Sequence, residues 1–226
     1  MDIRAPLVIS VALIAGMLAA TAWAWPLIAD GANIAIHWSA SGVPDGFVPK
    51  AKALLIAPVF AAAFTGFFAV APFLTKRRAN LAKSSKAYVA GWMGTLLMIA
   101  VGQVLIIMHT RGYGVDVVGS STFIIALILT AIGNLLGKTY PNPYVGVRTP
   151  WTKKSDYSWE MTHRAAGKMF VALGLATLAC IAVSDSVTAG RVLLWGALAV
   201  GFIATAMSYV YYRHDPSRHA DDGAHQ

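Results

Sequence analysis

The chain has 226 residues, of which 57% are hydrophobic and 12% are charged, whereas a typical soluble domain carries about 25% charged residues. This composition excludes an ordinary soluble domain and predicts an integral membrane protein. The formal net charge of +8 does not indicate a nucleic-acid partner, because the basic residues flank apolar stretches, where membrane topology and anionic lipid account for them. The single cysteine, Cys180, excludes an internal disulfide framework and a cysteine-rich metal site.

Six apolar stretches are long enough to cross a hydrocarbon core about 30 Å thick, which requires about 20 residues each. They cover residues 6–29, 53–74, 88–109, 119–137, 167–184 and 192–212. The first stretch imitates a cleavable signal peptide around residues 22–24, but its apolar character continues through Ile28 and favours a retained helix. The sequence therefore predicts an all-α, polytopic membrane protein, with one six-helix domain over residues 1–212 and a disordered tail over residues 213–226.

The distribution of Lys and Arg predicts the orientation of these helices, because loops that stay in the cytoplasm accumulate positive charge. Of the 18 Lys and Arg residues, only Lys50, Lys52, Arg111 and Arg191 fall on one side of the predicted membrane domain. The others fall on the side that holds both ends of the chain. Both termini are therefore predicted to be cytoplasmic.

The connection of residues 30–52 is predicted to lie outside and to form a structured cap, because its Gly and Pro residues dictate turns. Within it, His37 and Asp45 are placed to pair beside Trp38, which suits the membrane interface. His109 and Asp116 of the next external connection approach them in a folded bundle, and two His with two Asp are able to hold zinc. Their spacing matches no metal signature. Hydrogen bonding within the cap is the favoured interpretation, and no metal or other cofactor is predicted.

The connection of residues 138–166 is predicted to be cytoplasmic, and it carries more chemistry than a linker needs. Pro141 and Pro143 stiffen its first part on either side of Asn142. Ser155 is predicted to cap a helix that has acidic residues in its first turns, where the helix dipole favours them. That helix is expected to continue into the fifth span.

Several side chains of this connection are predicted to gather just below the membrane. Trp159 and His163 lie four residues apart and share a helix face, and Arg148 offers a planar guanidinium for phosphate or carboxylate. The candidate functional residues are Asn134, Asn142, Arg148, Thr149, Trp151, Trp159, His163 and Arg164. The alternative is that Trp residues anchor the interface and basic residues only set topology. This alternative explains Lys153 and Lys154 well, but it explains the Asn, Pro, Gly and Arg spacing poorly.

The middles of the spans lack Asp, Glu, Lys and Arg, which proton relays and ion pathways usually require. This pattern disfavours an ion-coupled transporter. Gln103 is predicted to hydrogen-bond a neighbouring helix rather than a ligand.

The motifs of the connector resemble the carboxy-terminal signature of the SdpI family. They are Gly133-Asn134, Pro141-Asn142, Gly146-Val147-Arg148-Thr149-Pro150-Trp151, Trp159 and Thr162-His163-Arg164. The external residues Ile36-His37-Trp38, Gly42 and Asp45-Gly46 are similar to the amino-terminal module of unknown function that often accompanies that signature. Together the resemblance spans most of the chain, although the motif-dense regions cover only about a third of it.

The resemblance implies a bacterial, multi-pass protein of the inner membrane, of a family named for immunity against a secreted toxin peptide and sometimes linked with signalling. We therefore expect a non-enzymatic protein that binds a toxin peptide or another membrane-active partner. The cap, with His37, Trp38 and Asp45, is the expected sensor, and residues 142–164 are the expected output toward a cytoplasmic protein partner. Apart from these partners, the chain is expected to contact membrane lipid.

The alternative function is a membrane-embedded enzyme that acts on lipid headgroups or peptides. In that case His163 is the base and Arg148 binds an anion, or His37, Asp45 and His109 hold a catalytic metal. The weakness of this alternative is the acid partner, because Asp156 lies seven residues from His163, which is two helical turns away.

Overall fold

A computed structural model describes residues 1–39 and 41–217. Of the predicted tail, Arg218, His219 and the rest of residues 218–226 lie outside the described residues. Six long helices, each apolar and long enough to cross a membrane, dominate the described part of the chain. They are α1 (Arg4–Ala24), α2 (Lys50–Leu74), α4 (Ser85–Thr110), α5 (Val117–Leu136), α7 (Asp156–Val183) and α8 (Ser186–Arg213). Two short helices, α3 (Arg78–Lys83) and α6 (Pro150–Lys154), lie between them. The prediction of six membrane-spanning helices is confirmed, and the protein is a multi-pass membrane protein.

The helix boundaries follow local signals in the sequence. The Ser155 side chain accepts a hydrogen bond from the backbone N–H of Ser158 and caps α7, as predicted. The same helix then continues without a break into the fifth span, so that α7 is 28 residues long. Asp116 and Asp185 cap α5 and α8 in the same way, through the N–H groups of Gly119 and Thr188.

The six helices alternate in direction, so their connections fall at two ends of the bundle. We call the end that holds the start of α1, the end of α8, α3 and residues 137–155 the connector end. The other end, with residues 28–49, 111–116 and 184–185, is the hairpin end. A 3-10 turn (Trp25–Leu27) leads from α1 into the hairpin end.

The predicted structured cap is a β-hairpin, which the sequence analysis did not specify. Strand β1 (Asn33–Trp38) pairs antiparallel with β2 (Pro44–Pro49), and the register is irregular where His37 faces Gly46. Gly42 in the turn has a φ of +79°, and a Cβ built there would lie 3.5 Å from the Val187 side chain and 3.9 Å from that of Val118. The tip of the hairpin therefore lies beside α5 and α8, although its strands are connected to α1 and α2.

Close helix packing depends on small residues where two backbones meet. A Cβ added to Gly133 would lie 2.8 Å from the carbonyl oxygen of Gly167, and one added to Gly167 would lie 2.6 Å from that of Gly133. These two positions hold α5 directly against α7, the packing that membrane helices achieve with small residues.

On the other side of the bundle, the Gln103 amide of α4 donates to the Met17 carbonyl (3.0 Å) and the Thr21 hydroxyl (2.8 Å) of α1. Gln103 therefore makes the interhelical bond expected from the sequence.

Candidate functional site

The first part of the connector is folded around the side chain of Asn142, which is 4% exposed. Its amide oxygen accepts from the backbone N–H groups of Tyr144 (2.9 Å) and Val145 (2.8 Å). Its amide nitrogen donates to the carbonyl groups of Tyr140 (2.8 Å) and Val145 (3.2 Å). Each polar atom of Asn142 is therefore used to shape the turn, because a buried amide requires partners for both its oxygen and its nitrogen.

Trp159 and His163 bind the middle of the connector to α7. Their rings are stacked with centroids 4.1 Å apart, and both side chains are buried. The Trp159 indole N–H donates to the carbonyl of Thr139 (2.9 Å). The His163 Nε2 accepts from the N–H of Val147 (2.9 Å), while its Nδ1 lies 2.6 Å from the Trp159 carbonyl. This pattern requires a neutral imidazole with its proton on Nδ1, since one nitrogen faces a donor and the other an acceptor.

Gly146 explains why the connector is able to approach His163 so closely. Its φ is +123°, a backbone conformation that residues with a side chain rarely adopt. A Cβ at this position would also overlap with Nε2 of His163. A glycine is therefore required here for two independent reasons, conformation and space.

The second part of the connector is attached to α7 and α8 by buried hydroxyl groups. The Thr149 side chain caps α6 and lies 2.9 Å from the Ser208 hydroxyl of α8. The Ser158 hydroxyl donates to the Ser208 carbonyl (2.7 Å). The Ser155 hydroxyl donates to the Asp215 carboxylate (2.5 Å), which joins the end of the described chain to the same place. Trp151, half-buried, packs against Tyr209 with ring centroids 5.1 Å apart.

The connector also contacts the half of the bundle formed by α2, α3 and α4. The Asn80 amide donates to the Pro141 carbonyl (2.9 Å), and the Ser84 hydroxyl accepts from the N–H of Tyr140 (2.9 Å). The Tyr144 ring packs edge-on against Tyr88 of α4, with centroids 6.4 Å apart. The connector is therefore a folded wedge that joins both halves of the bundle at one end.

Apart from the half-buried Trp151, the predicted site residues of this end fall into two groups. The first group is buried and makes the hydrogen bonds that hold the wedge; it consists of Asn142, Thr149, Trp159 and His163. Arg148 is exposed, with no hydrogen bond or ion pair to any described residue. Arg164 is also exposed and pairs with Glu160 one helical turn earlier, at 2.6 Å. Asn134 is exposed on α5 and does not join the buried group. The buried residues of this set therefore fix the connector to the helices, and the set does not line one common pocket.

At the hairpin end, His37 and Asp45 pair as the sequence suggested, with Nδ1 2.5 Å from the carboxylate oxygen. The His109 ring meets Trp38 edge-on, with centroids 5.3 Å apart. Asp116 instead caps α5. Within residues 1–39 and 41–217, no three His, Cys, Asp or Glu residues lie close enough together to hold a metal ion. The four polar residues are therefore distributed between the hairpin and the helix ends.

The space beneath the hairpin is a partly open cavity of about 500 Å³, lined by residues of β1, α4, α5 and α8. It reaches from the hairpin down to Gly102 of α4 and Ile125 of α5, about 12 Å below the start of α5 at 1.5 Å per helical residue. Its apolar walls are Ile36, Trp38, Ile106, Val117, Val118, Ile125, Val187 and Leu194. Its polar lining residues are His37, Ser39, Ser121, Thr122 and Arg191. A concave, mostly apolar cavity with a few polar groups has the character of a ligand site.

Sequence reasoning found the hairpin part of this cavity but missed Ser121, Thr122 and Arg191. In the sequence, Arg191 stands out only as one of four basic residues on its side of the predicted membrane domain. A signal was available, because it follows Gly190 in the first turns of the sixth span, where a small residue permits close approach to α5.

Comparison with known proteins confirms the resemblance on which the functional expectations rest. Residues 138–212 match the model of the SdpI/YfhL protein family, and residues 12–62 match a domain of unknown function, DUF1648. The first match contains the wedge residues from Asn142 to Arg164, and the second contains His37, Trp38 and Asp45. The immunity protein SdpI of Bacillus subtilis (strain 168) is 27% identical over 186 residues, which is 80% of this chain and 84% of that protein. No solved structure matches the chain.

Proposed function

We propose that this protein is an immunity-type protein that captures a membrane-active toxin peptide. The proposal starts from a multi-pass membrane chain whose residues 138–212 match the model of the SdpI/YfhL family. Capture takes place in the cavity beneath the hairpin, without chemical turnover. The observation that carries the proposal is this cavity of about 500 Å³, because it joins the hairpin of one matched region to α8 of the other. The immunity function itself comes from the printed name of the relative that is 27% identical.

The proposed orientation places the hairpin end outside the bacterial inner membrane and the wedge in the cytoplasm. The basic residues support it, since only Lys50, Lys52, Arg111 and Arg191 of the 18 Lys and Arg residues belong to the hairpin end. A secreted toxin would then reach the cavity directly, either from outside or from the outer leaflet.

Binding in the cavity would be transmitted to the wedge through α5 and α8. The tip of the hairpin lies beside Val118 on α5 and Val187 on α8, so an occupant that moves the hairpin would act on both helices. At the other end, α8 holds the wedge through Ser208 and Thr149. A change in how α8 packs against α5 would loosen this bond and alter the surface around Arg148, where we place the contact with a cytoplasmic partner. This is a two-state model, in which the toxin binds one packing of α5 and α8 more tightly than the other.

The geometry of His163 supports a binding function over catalysis. A general base must reach the proton that it removes, but both ring nitrogens of His163 are already engaged by backbone groups of Val147 and Trp159. Its side chain is fully buried. His163 is therefore better suited to hold the wedge than to act on a substrate.

The experiment that tests this function is survival of a sensitive bacterial strain that expresses the chain and is challenged with the toxin peptide for which the family is named. Ser121→Phe fills the cavity from α5, whereas Ser120→Phe, at the next position, lines a different depression of the surface. We expect Ser121→Phe and His37→Ala to reduce protection and Ser120→Phe to retain it, at equal membrane expression. Arg148→Ala should retain toxin binding but lose the downstream response. Full protection by Ser121→Phe would exclude the cavity as the capture site.

A further inference from the structure

We infer that the cavity beneath the hairpin recognises the apolar carboxyl-terminal end of a peptide, whose free carboxylate pairs with the guanidinium of Arg191. This inference rests on the proposed function and specifies which part of the peptide is held. It follows from the charge of the cavity, from its unpaired hydroxyl groups and from its size.

Each acidic residue of the hairpin end has a partner other than Arg191. Asp30 pairs with Lys50 and Asp45 pairs with His37. Asp116 and Asp185 accept hydrogen bonds from the first turns of α5 and α8. Arg191 is thus left without a hydrogen bond or ion pair to any described residue, although it lines the cavity.

Arg111, another arginine of this end, shows the contrast. Its guanidinium donates to the Leu27 carbonyl (3.1 Å) and lies 6.0 Å from the Trp23 ring centroid, and it does not line the cavity. Arg191 is exposed, and the planar fork of its guanidinium matches the two oxygens of a carboxylate. The missing counter-charge of Arg191 is therefore expected from the ligand.

The hydroxyl groups of α5 distinguish a peptide from an acyl chain. Thr122 is 4% exposed and lines the cavity, yet its hydroxyl makes no hydrogen bond within the described residues. The neighbouring Ser121 hydroxyl also lines the cavity without such a partner. Serine and threonine in membrane helices commonly bond their own helix backbone, as Thr130 does on the same helix. Peptide N–H and C=O groups would satisfy these hydroxyl groups, whereas a hydrocarbon chain would leave them unpaired.

The size of the cavity limits what is held. A volume of about 500 Å³ falls within the range of small-ligand cavities, roughly 300–1,000 Å³. It accommodates a few side chains and not a folded toxin. The carboxyl-terminal end of a peptide is small enough for this volume, and it also carries the carboxylate.

The test uses the full chain in nanodiscs of zwitterionic lipid and a labelled peptide, Ala-Leu-Val-Ile-Leu, with the dye on its amino terminus. The peptide is prepared with a free carboxylate and with a carboxyl-terminal amide. We expect the free acid to bind at least about tenfold more tightly than the amide, the factor given by one good charge-assisted contact. Arg191→Gln should bring this ratio close to one, and Arg111→Gln should leave it unchanged.

Further arms separate the alternatives. Thr122→Val should weaken both peptide forms equally, because it removes a bond to the peptide backbone and not to the carboxylate. Dodecanoate that binds as tightly as the peptide acid would overturn the inference in favour of a lipid ligand. If the acid and the amide bind equally well, the role of Arg191 is overturned. The proposed function remains intact in that case if Ser121→Phe abolishes binding of both peptides and also abolishes toxin protection. No peptide binding, with full protection by Ser121→Phe, would overturn both.

Discussion

The indole of Trp159 and the imidazole of His163 lie stacked at 4.1 Å, and each binds a different part of the connector backbone. Trp159 holds Thr139 and His163 holds Val147, so one helix face fixes two points of the chain that lie eight residues apart. The connector is thereby ordered against α7. The Trp159 and His163 rings hold the connector in place, while Arg148 remains exposed.

Replacing His163 tests this arrangement. His163→Ala leaves the Val147 N–H unpaired in a buried place and opens a space beside Trp159, so we expect a loss of about 2–4 kcal/mol in the free energy of unfolding. The measurement is reversible unfolding in detergent, followed by Trp fluorescence. Arg148→Ala is the control and should change the stability by less than about 0.5 kcal/mol, because its side chain is exposed and unpaired. Equal stability of the two variants would contradict the proposal that His163 fixes the connector to α7.

Gly146 provides a second test of the same contact by a different mechanism. In Gly146→Ala the new Cβ overlaps with His163, and the backbone must also keep its positive φ. We expect a loss of about 3 kcal/mol or more, the sum of a conformational and an overpacking cost. Gly31→Ala is the matched control, since Gly31 has a φ of +82° but nothing within 4 Å of the added carbon. It should show the conformational cost alone, about 1–2 kcal/mol. A similar loss in both variants would show that His163 does not lie against Gly146.

The helices were predictable from the sequence because their signals are local. Apolar length gave the six spans, Ser155 gave the start of α7, and a separation of four residues placed Trp159 and His163 on one face. The wedge was not predictable, because its bonds join distant positions, such as Asn80 with Pro141 and Thr149 with Ser208. The same is true of the cavity, where the hairpin meets helices far along the chain. Arg148 shares a motif with His163, but the fold buries one and exposes the other.

The ion pair of Asp30 and Lys50 predicts a response to acid at the hairpin end. The hydrogen bond and the charge of Lys50 lower the pKa of Asp30 below its ordinary value of 3.8. The folded hairpin therefore gains stability from this carboxylate above pH of about 4, and loses it as the pH falls through the lowered pKa. Trp25 reports the change, because the Lys50 ammonium lies 5.1 Å from the centroid of its ring.

We expect the part of the Trp fluorescence that is lost in a Trp25→Phe variant to change as the pH falls below about 4. Asp30→Asn should remove this transition and give an acid-independent signal. Asp2→Asn, at the opposite end of the bundle, is the control and should leave the transition in place. A transition that persists in Asp30→Asn would assign it to another carboxylate.

The orientation of the bundle is tested by labelling introduced cysteines in intact cells, in a Cys180→Ser background. Ser41→Cys places a thiol in the exposed turn of the hairpin, and Arg148→Cys places one on the exposed surface of the wedge. The proposed orientation, based on the basic residues, places the wedge in the cytoplasm. A membrane-impermeant maleimide should therefore label the first thiol at once and the second only after the cells are opened. Lys154→Cys, also exposed at the connector end, should behave like Arg148→Cys. The reverse pattern would place the hairpin cavity inside the cell, out of reach of a secreted peptide, and the capture model would then be wrong.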